Sequence, residues 1–200
     1  MSERQPSPAT QAAIAKVALR DQLLTARRRR ALAEIGDAAR KIAEHLLADA
    51  DVRRAATVAA YVSVGSEPGT SVLLDRLREA GKRVLLPVLL PDNDLDWAAY
   101  EGAADLVSAG RGLLEPAGPS LGVEAVATAD VVLVPGLAVS RTGLRMGRGG
   151  GSYDRALGRV PVGTTTCVLL YADEVLDHVP AEPHDRPVTA AATPDGILRF

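Results

Sequence analysis

Four glycines, at 147, 149, 150 and 151, surround Arg148 in the stretch "GLRMGRGGGSYDRAL", which then runs directly into Ser152, Tyr153 and Asp154. Glycine lets a backbone approach a ligand closely and adopt positive φ, and successive N–H groups ahead of a helix start face negative charge. Arg141, Arg145, Arg148 and Arg155 add guanidinium forks suited to phosphate or carboxylate. A helix end contributes only about 0.3–1 kcal/mol toward an anion, so the arginines must supply most of the hold on a triphosphate. Asp154 offers a carboxylate for Mg²⁺ bridging to phosphate, although an aspartate in a first turn also simply suits the helix dipole. The stretch is neither G-x-x-x-x-G-K-[ST] nor G-x-G-x-x-G, because Ser152 stands where the last glycine would fall. A flexible surface loop made soluble by arginine is the alternative reading.

Other candidate groups are more scattered. Lys16 and Arg20 are four residues apart, with Arg27 two turns further on. Periodicity alone makes them a solvated basic face. His178, His184 and Asp185 in "DHVPAEPHDRP" offer zinc-type ligands, but no further cysteine or histidine cluster accompanies them. Cys167 is the single cysteine and sits in an apolar run, as an inert core thiol would.

The elements that must position these groups follow from hydrophobic pattern. From Ala12 to about Ala50, the residues Ile14, Val17, Leu24, Ala31, Ile35, Ile42 and Leu46 recur at helical intervals and predict a long N-terminal helix, or two joined near Gly36. Beyond Arg54 the short apolar runs "TVAAYVSV", "RVLLPVLL", "VVLVPG" and "TTTCVLLY" suit strands buried on both faces. "GTSVLLDRLREAGK" between the first two supplies a helix closed by Gly81. "LDWAAYEG" adds a shorter strand, and "PVTAAATPDGILRF" predicts a final hairpin turning at Pro194-Asp195-Gly196. The expected fold is α/β: a mainly parallel sheet flanked by helices on both faces, with ligands at the carboxyl ends of the strands. Residues 1–11 read as a flexible tail and 12–200 as one domain. With 47% apolar residues and a net charge of −2, the chain has a substantial core and no global basic field for nucleic acid. No stretch of about 18 apolar residues predicts a membrane span, so a cytoplasmic chain is expected.

These residues carry a resemblance. "ADVVLVPGLAVSRTGLRMGRGGGSYDRAL" is similar to the signature of the 5-formyltetrahydrofolate cyclo-ligase (5,10-methenyltetrahydrofolate synthetase) family. "KVALR" resembles the family's K-x-x-L-R element, "YVSVGSEPGT" its segment with a substrate-contacting glutamate, and "GLLEP" its G-I-x-E-P turn. "VPAEPHDRPVTAAAT" matches in order and spacing.

The resemblance implies an ATP- and Mg²⁺-dependent ligase of one-carbon metabolism, which closes 5-formyltetrahydrofolate to 5,10-methenyltetrahydrofolate with release of ADP and phosphate. It implies ATP contacts at Lys16, Arg20, Arg145, Met146, Gly147, Arg148, Gly149, Gly150, Gly151, Ser152 and Tyr153, which replaces the solvated-face reading of Lys16 and Arg20. Substrate contacts fall at Val62, Glu67, Arg148, Gly149, Gly150, Gly151 and Ser152; Arg148 and Tyr153 are the catalytic pair; Asp154 and Asp185 hold Mg²⁺. The partners implied are small molecules, with neither nucleic acid nor membrane, and a monomer is expected. The chain departs from the family pattern at Val139-Ser140, where A-F-D is common at 138–140, and at Ser152, where a first tyrosine is common. Trp97 is left between stacking on the pterin and packing in the core. Besides a ligase, the residues admit a binding paralogue without turnover, or an ATP-dependent enzyme using another acceptor.

Overall fold

A computed structural model describes residues 8–200. Of the expected tail over 1–11, residues 1–7 lie outside the described residues, while 8–11 already belong to the first helix. In chain order, α1 (Pro8–Arg28), α2 (Leu32–Ala48) and α3 (Ala50–Arg54) precede β1 (Thr57–Ala59), α4 (Ser71–Glu79), β2 (Arg83–Leu89) and β3 (Leu95–Ala99). Next come a hairpin of β4 (Leu106–Ser108) and β5 (Leu114–Pro116), then β6 (Val131–Pro135), β7 (Ala138–Ser140), β8 (Arg145–Met146) and α5 (Ser152–Arg159). The chain finishes with β9 (Thr165–Leu169), β10 (Val175–Leu176), β11 (Ala190–Thr193) and β12 (Gly196–Arg199).

Among the described residues, a seven-stranded sheet runs β12-β11-β9-β6-β1-β2-β3. Its five central strands are parallel, and β12 and β3 add antiparallel edges. Successive side chains of a strand point to opposite faces, and the two cores divide accordingly. Val131, Leu133, Cys167 and Leu169 pack with Ile42, Leu46, Leu73 and Leu77 under α2 and α4. Val132, Val134 and Val168 pack with Trp97, Ala156 and Leu157 on the other face, beneath α5. The apolar runs are continuous because both faces are covered. Trp97 is therefore a core residue, and Cys167 is a buried free thiol, as expected. The final hairpin turns between Thr193 and Gly196, at the place its sequence indicates.

The N-terminal segment corrects two expectations. Its break falls at residues 29–31 instead of Gly36, which lies inside α2. The face of α1 that turns inward is also different: Ile14 and Val17 are 60% and 53% exposed, whereas Lys16 and Arg27 are 6% and 0% exposed. Leu19, Leu23 and Leu24 pack with Leu137, Met146 and Val179 against a second, three-stranded sheet of order β10-β7-β8. Buried charges need partners, and Arg27 has them. Its Nε and Nη2 donate to the two carboxylate oxygens of Glu174, each at 2.7 Å, and Nη2 also reaches the carbonyl of Gly136 at 2.6 Å. α1 is thereby clamped across the carboxyl end of β6. No described helix is long and apolar enough to cross a membrane.

Candidate active site

The carboxyl ends of β1, β2 and β6 open into a cavity of about 480 Å³, within the range of small-molecule sites. The site residues that the resemblance implies all line it: Lys16, Arg20, Val62, Glu67, residues 145–154 and Asp185. They arrive from α1, the segment after β1, the β8–α5 loop and the segment before β11. Of the arginine cluster around the loop, Arg141 and Arg155 do not line it: Arg141 pairs with Asp177, and Arg155 donates to the carbonyls of Asp92 and Gly150.

The glycine loop departs from β8, whose Arg145 and Met146 are both buried. Gly149 has φ +96°, and a Cβ there would lie 3.2 Å from the Arg20 guanidinium. Any side chain would thus strain the backbone and push away a cation. Gly151 has φ +71° and opens α5, so the loop's last amides precede a helix start of eight residues with Asp154 in its first turn. Arg20 Nε donates to the carbonyl of Gly147 at 3.3 Å, which ties α1 to the loop.

The site's cations are paired, Lys16 and Arg148 across long sequence separations and Arg145 within its own segment. Lys16 Nζ lies 2.8 Å from Glu182 Oε2 and 2.5 Å from Asp185 Oδ2. Arg145 Nη2 donates to Asp154 Oδ1 at 3.0 Å, and its Nη1 reaches the carbonyl of Pro135. Arg148 Nη2 stands 3.1 Å from Glu67 Oε1, while Glu67 Oε2 accepts from the Val64 amide at 2.8 Å. The resemblance gave Glu67 to the substrate and Arg148 to catalysis, and the fold makes them neighbours. Burial raises the Tyr153 phenol far above its ordinary range, which favours the neutral hydroxyl.

Asp154 and Asp185, which the resemblance gives to Mg²⁺, line the cavity together with the carboxylates of Glu67 and Glu115. Asp154 Oδ1 also accepts from the Arg186 amide at 3.1 Å, whereas Asp154 Oδ2 has no protein donor among the described residues. Asp185 Oδ2 accepts from Lys16 and from the Glu182 amide, with Oδ1 facing His184 at 3.9 Å. Mg²⁺ needs only one or two carboxylates beside water and phosphate oxygens, so this donor set fits it. Of the histidines weighed for zinc, His184 joins Asp185 and Glu182, their ligand atoms lying within 4.8 Å of one another. His178 is not part of that group.

The departures from the family pattern have local explanations. Val139 fills the core, and Ser140 Oγ accepts from the amides of Thr142 and Leu144, closing the turn ahead of β8. Ser152 stands on the cavity wall, where a small side chain leaves room. Sequence reasoning missed Tyr61, Leu89, Arg111 and Leu113, which also line the cavity. The Gly110-Arg111-Gly112 run is a turn signal that could have marked the hairpin tip.

The sequence and the fold are both similar to those of known proteins. A model of the 5-formyltetrahydrofolate cyclo-ligase family matches residues 12–194. The chain is 49% identical over 143 residues to the 5-formyltetrahydrofolate cyclo-ligase of Mycolicibacterium smegmatis, spanning 69% of this chain and 73% of that protein. It is 33% identical to the enzyme of that name from Escherichia coli, over 72% and 81% of the two chains. Among solved structures, Aquifex aeolicus 5,10-methenyltetrahydrofolate synthetase superimposes with a TM-score of 0.80 at 25% identity, covering 92% of each chain.

Proposed function

The chain belongs to the 5-formyltetrahydrofolate cyclo-ligase family, and we propose how its residues close 5-formyltetrahydrofolate to 5,10-methenyltetrahydrofolate at the expense of ATP. The observation that carries this reading is the single cavity that gathers Lys16, Arg20, Glu67, the glycine loop and Asp185. The N5-formyl carbon is amide-like, and its oxygen leaves poorly as hydroxide. Attack of that oxygen on the γ-phosphorus of ATP releases ADP and turns the oxygen into part of a good leaving group. N10 then attacks the activated carbon and loses its proton to the phosphate, the C–O bond breaks, and protonated inorganic phosphate departs as the methenyl cation forms.

Such chemistry needs in-line positioning and charge neutralisation more than a protein nucleophile. The loop amides from Gly147 to Gly151, with Lys16, Arg20 and Arg145, hold the triphosphate. Arg148 offsets charge on the phosphoryl group in transfer, and its place beside Glu67 supports a role where the two substrates meet. Val62 and Glu67 hold the folate, and Tyr153 packs beside it as a neutral hydrogen-bond donor. Asp154 and Asp185 would hold Mg²⁺, which when bound supplies further neutralisation of the phosphate oxygens. Small molecules are the proposed partners, and the enzyme is proposed to act on them as a monomer.

The test mixes the purified protein with Mg-ATP and 5-formyltetrahydrofolate and follows methenyl absorbance and phosphate release together. Matched appearance of both, lost on omitting either substrate, is expected. Phosphate release with another acceptor only, or ligand stabilisation with no turnover, would overturn the reading.

A further inference from the structure

We propose that Arg111, at the tip of the β4–β5 hairpin, reads the carboxylate end of the folate substrate; this rests on the cyclo-ligase reading above.

The hairpin closes one side of the cavity. Glu115 Oε1 accepts from the Leu89 amide at 2.9 Å and fastens β5 to β2. Leu89, Leu95, Leu113 and Leu114 line the wall these elements make, and Arg111 lies on the same wall. A reduced folate has a polar ring system, an apolar aminobenzoyl segment and a glutamate that bears all of its negative charge. An apolar wall carrying a cation complements the second and third parts in order. ATP has no such need, because its charge is confined to the triphosphate.

Charge pairing singles out Arg111. Lys16, Arg145 and Arg148 each hold a protein carboxylate, and Arg20 rests on the glycine loop. Among the described residues, Arg111 has no carboxylate within ion-pair distance; its Nη1 donates to the neutral side chain of Asn93 at 2.9 Å. The backbone adds a second, independent sign. Asn93 and Arg111 are the described non-glycine residues with positive φ, at 65° and 62°. Left-handed backbone is unfavourable for arginine, and residues held there cluster at ligand clamps. The strained Arg111 and the left-handed Asn93, a residue type that tolerates that backbone, bond to each other beside the cavity. The neighbouring Asp92 carbonyl accepts from Arg155 Nη1 at 3.1 Å, which joins this pair to the helix that follows the glycine loop.

The experiment compares 5-formyltetrahydrofolate with 5-formyltetrahydropteroyl amide, in which an uncharged NH2 replaces the glutamate, in wild type and in Arg111→Gln and Arg111→Lys. A charge-assisted hydrogen bond to a carboxylate corresponds to roughly a 10- to 100-fold effect. Arg111→Gln should therefore raise KM for the glutamate-bearing substrate by about 10-fold or more, and leave the pteroyl amide and ATP within about twofold. Arg111→Lys should recover part of the loss, and the wild-type preference for glutamate should shrink as salt rises. Equal losses on both folates, a change in ATP KM alone, or no change at all would each overturn the proposal. Failure of wild type to turn over either folate would instead overturn the cyclo-ligase reading, so the two failures are distinguishable. Equal melting temperatures for wild type and Arg111→Gln are expected, because the side chain is exposed.

Discussion

Replacing Asp154 separates its two roles, because alanine and asparagine remove different things. Its Oδ1 accepts from Arg145 Nη2 at 3.0 Å and from the Arg186 amide at 3.1 Å, and the side chains of Arg145 and Asp154 are 3% and 17% exposed. Arg145 keeps only the Pro135 carbonyl besides, and its Nε already lacks an acceptor in the described structure. Alanine therefore leaves a buried guanidinium without its counter-charge, a loss of about 3–5 kcal/mol. At roughly 2–4 °C per kcal/mol for a chain of this size, Tm should fall by about 6–20 °C. Asparagine keeps a neutral oxygen for both donors, so its cost should be nearer 1–2 kcal/mol, or roughly 2–8 °C. Asparagine is thus the cleaner probe of metal binding. Asp154→Asn should lower kcat/KM by roughly 100-fold and move the Mg²⁺ dependence to about 10-fold higher concentration, because the lost group is a proposed ligand itself. Scanning calorimetry and a Mg²⁺ titration of turnover check both parts. An unchanged Mg²⁺ response in Asp154→Asn would reduce Asp154 to an anchor for Arg145, and an unchanged Tm in Asp154→Ala would refute the argument for the buried pair.

Arg148→Ala should lower kcat by about 100-fold or more while folate affinity changes little; a loss confined to KM would remove Arg148 from the transition state. Glu174→Ala should be the more damaging lesion to the fold, since the side chains of Arg27 and Glu174 are 0% and 2% exposed. A cost of about 3–5 kcal/mol and a raised KM for ATP are expected from urea melts and kinetics, because α1 carries Lys16 and Arg20. Burial pushes the Cys167 thiol up to about 12, so a thiol reagent at pH 8 should label the unfolded chain and not the native one. The stability linked to that shift is fully present below the unfolded thiol value and disappears as pH rises through the folded one. Hydrogen bonds from Arg159 to Asp94, and from the Thr57 and Ala56 amides to Asp130, hold those carboxyls below their usual range. Their contribution is present above about pH 4 and lost as pH falls through the folded values, because the unfolded chain takes up protons first. Urea melts from pH 7 to pH 3 should show this drop, and Arg159→Ala should flatten it.

How much of this was legible in the sequence depended on the range of the interaction concerned. The central strands were, because covering both sheet faces writes a continuous apolar run into residues 131–135 and 165–169. The glycine loop was too, since its chemistry is local to residues 147–154. The inward face of α1 was not. Lys16 and Arg27 are buried against Asp185 and Glu174, which lie 169 and 147 residues away. Periodicity sees only the helix, and on the helix these are charged residues with apolar neighbours at Ile14 and Val17. The resemblance corrected Lys16 and Arg20 but carried nothing about Arg27. The three-stranded sheet escaped for a related reason: its strands are two or three residues long, too short for alternation to register. Arg111 had only a turn signal to mark it, and the wall it completes is assembled from β2, β3 and β5.

The pairing of cations with carboxylates also bears on how the site handles charge. Lys16, Arg145 and Arg148 are held by Asp185 with Glu182, by Asp154 and by Glu67 respectively. Any phosphate oxygen they receive therefore exchanges one anion for another, so the gain in affinity is a difference between two ion pairs and smaller than a free guanidinium would give. The carboxylates released in that exchange acquire new tasks in the proposed reaction. Asp154 and Asp185 turn to the metal, and Glu67 turns to the folate. Arg148 cannot serve the transferring phosphoryl while Glu67 holds it, so occupancy of the folate side frees the group that acts on the nucleotide side. This coupling requires that ATP hydrolysis in the absence of folate be slow, and that Glu67→Gln, which removes the charge holding Arg148, raise it relative to folate-dependent turnover. A phosphate-release assay with ATP alone decides the matter: a Glu67→Gln variant with no more uncoupled hydrolysis than wild type would break the proposed link between the two substrates.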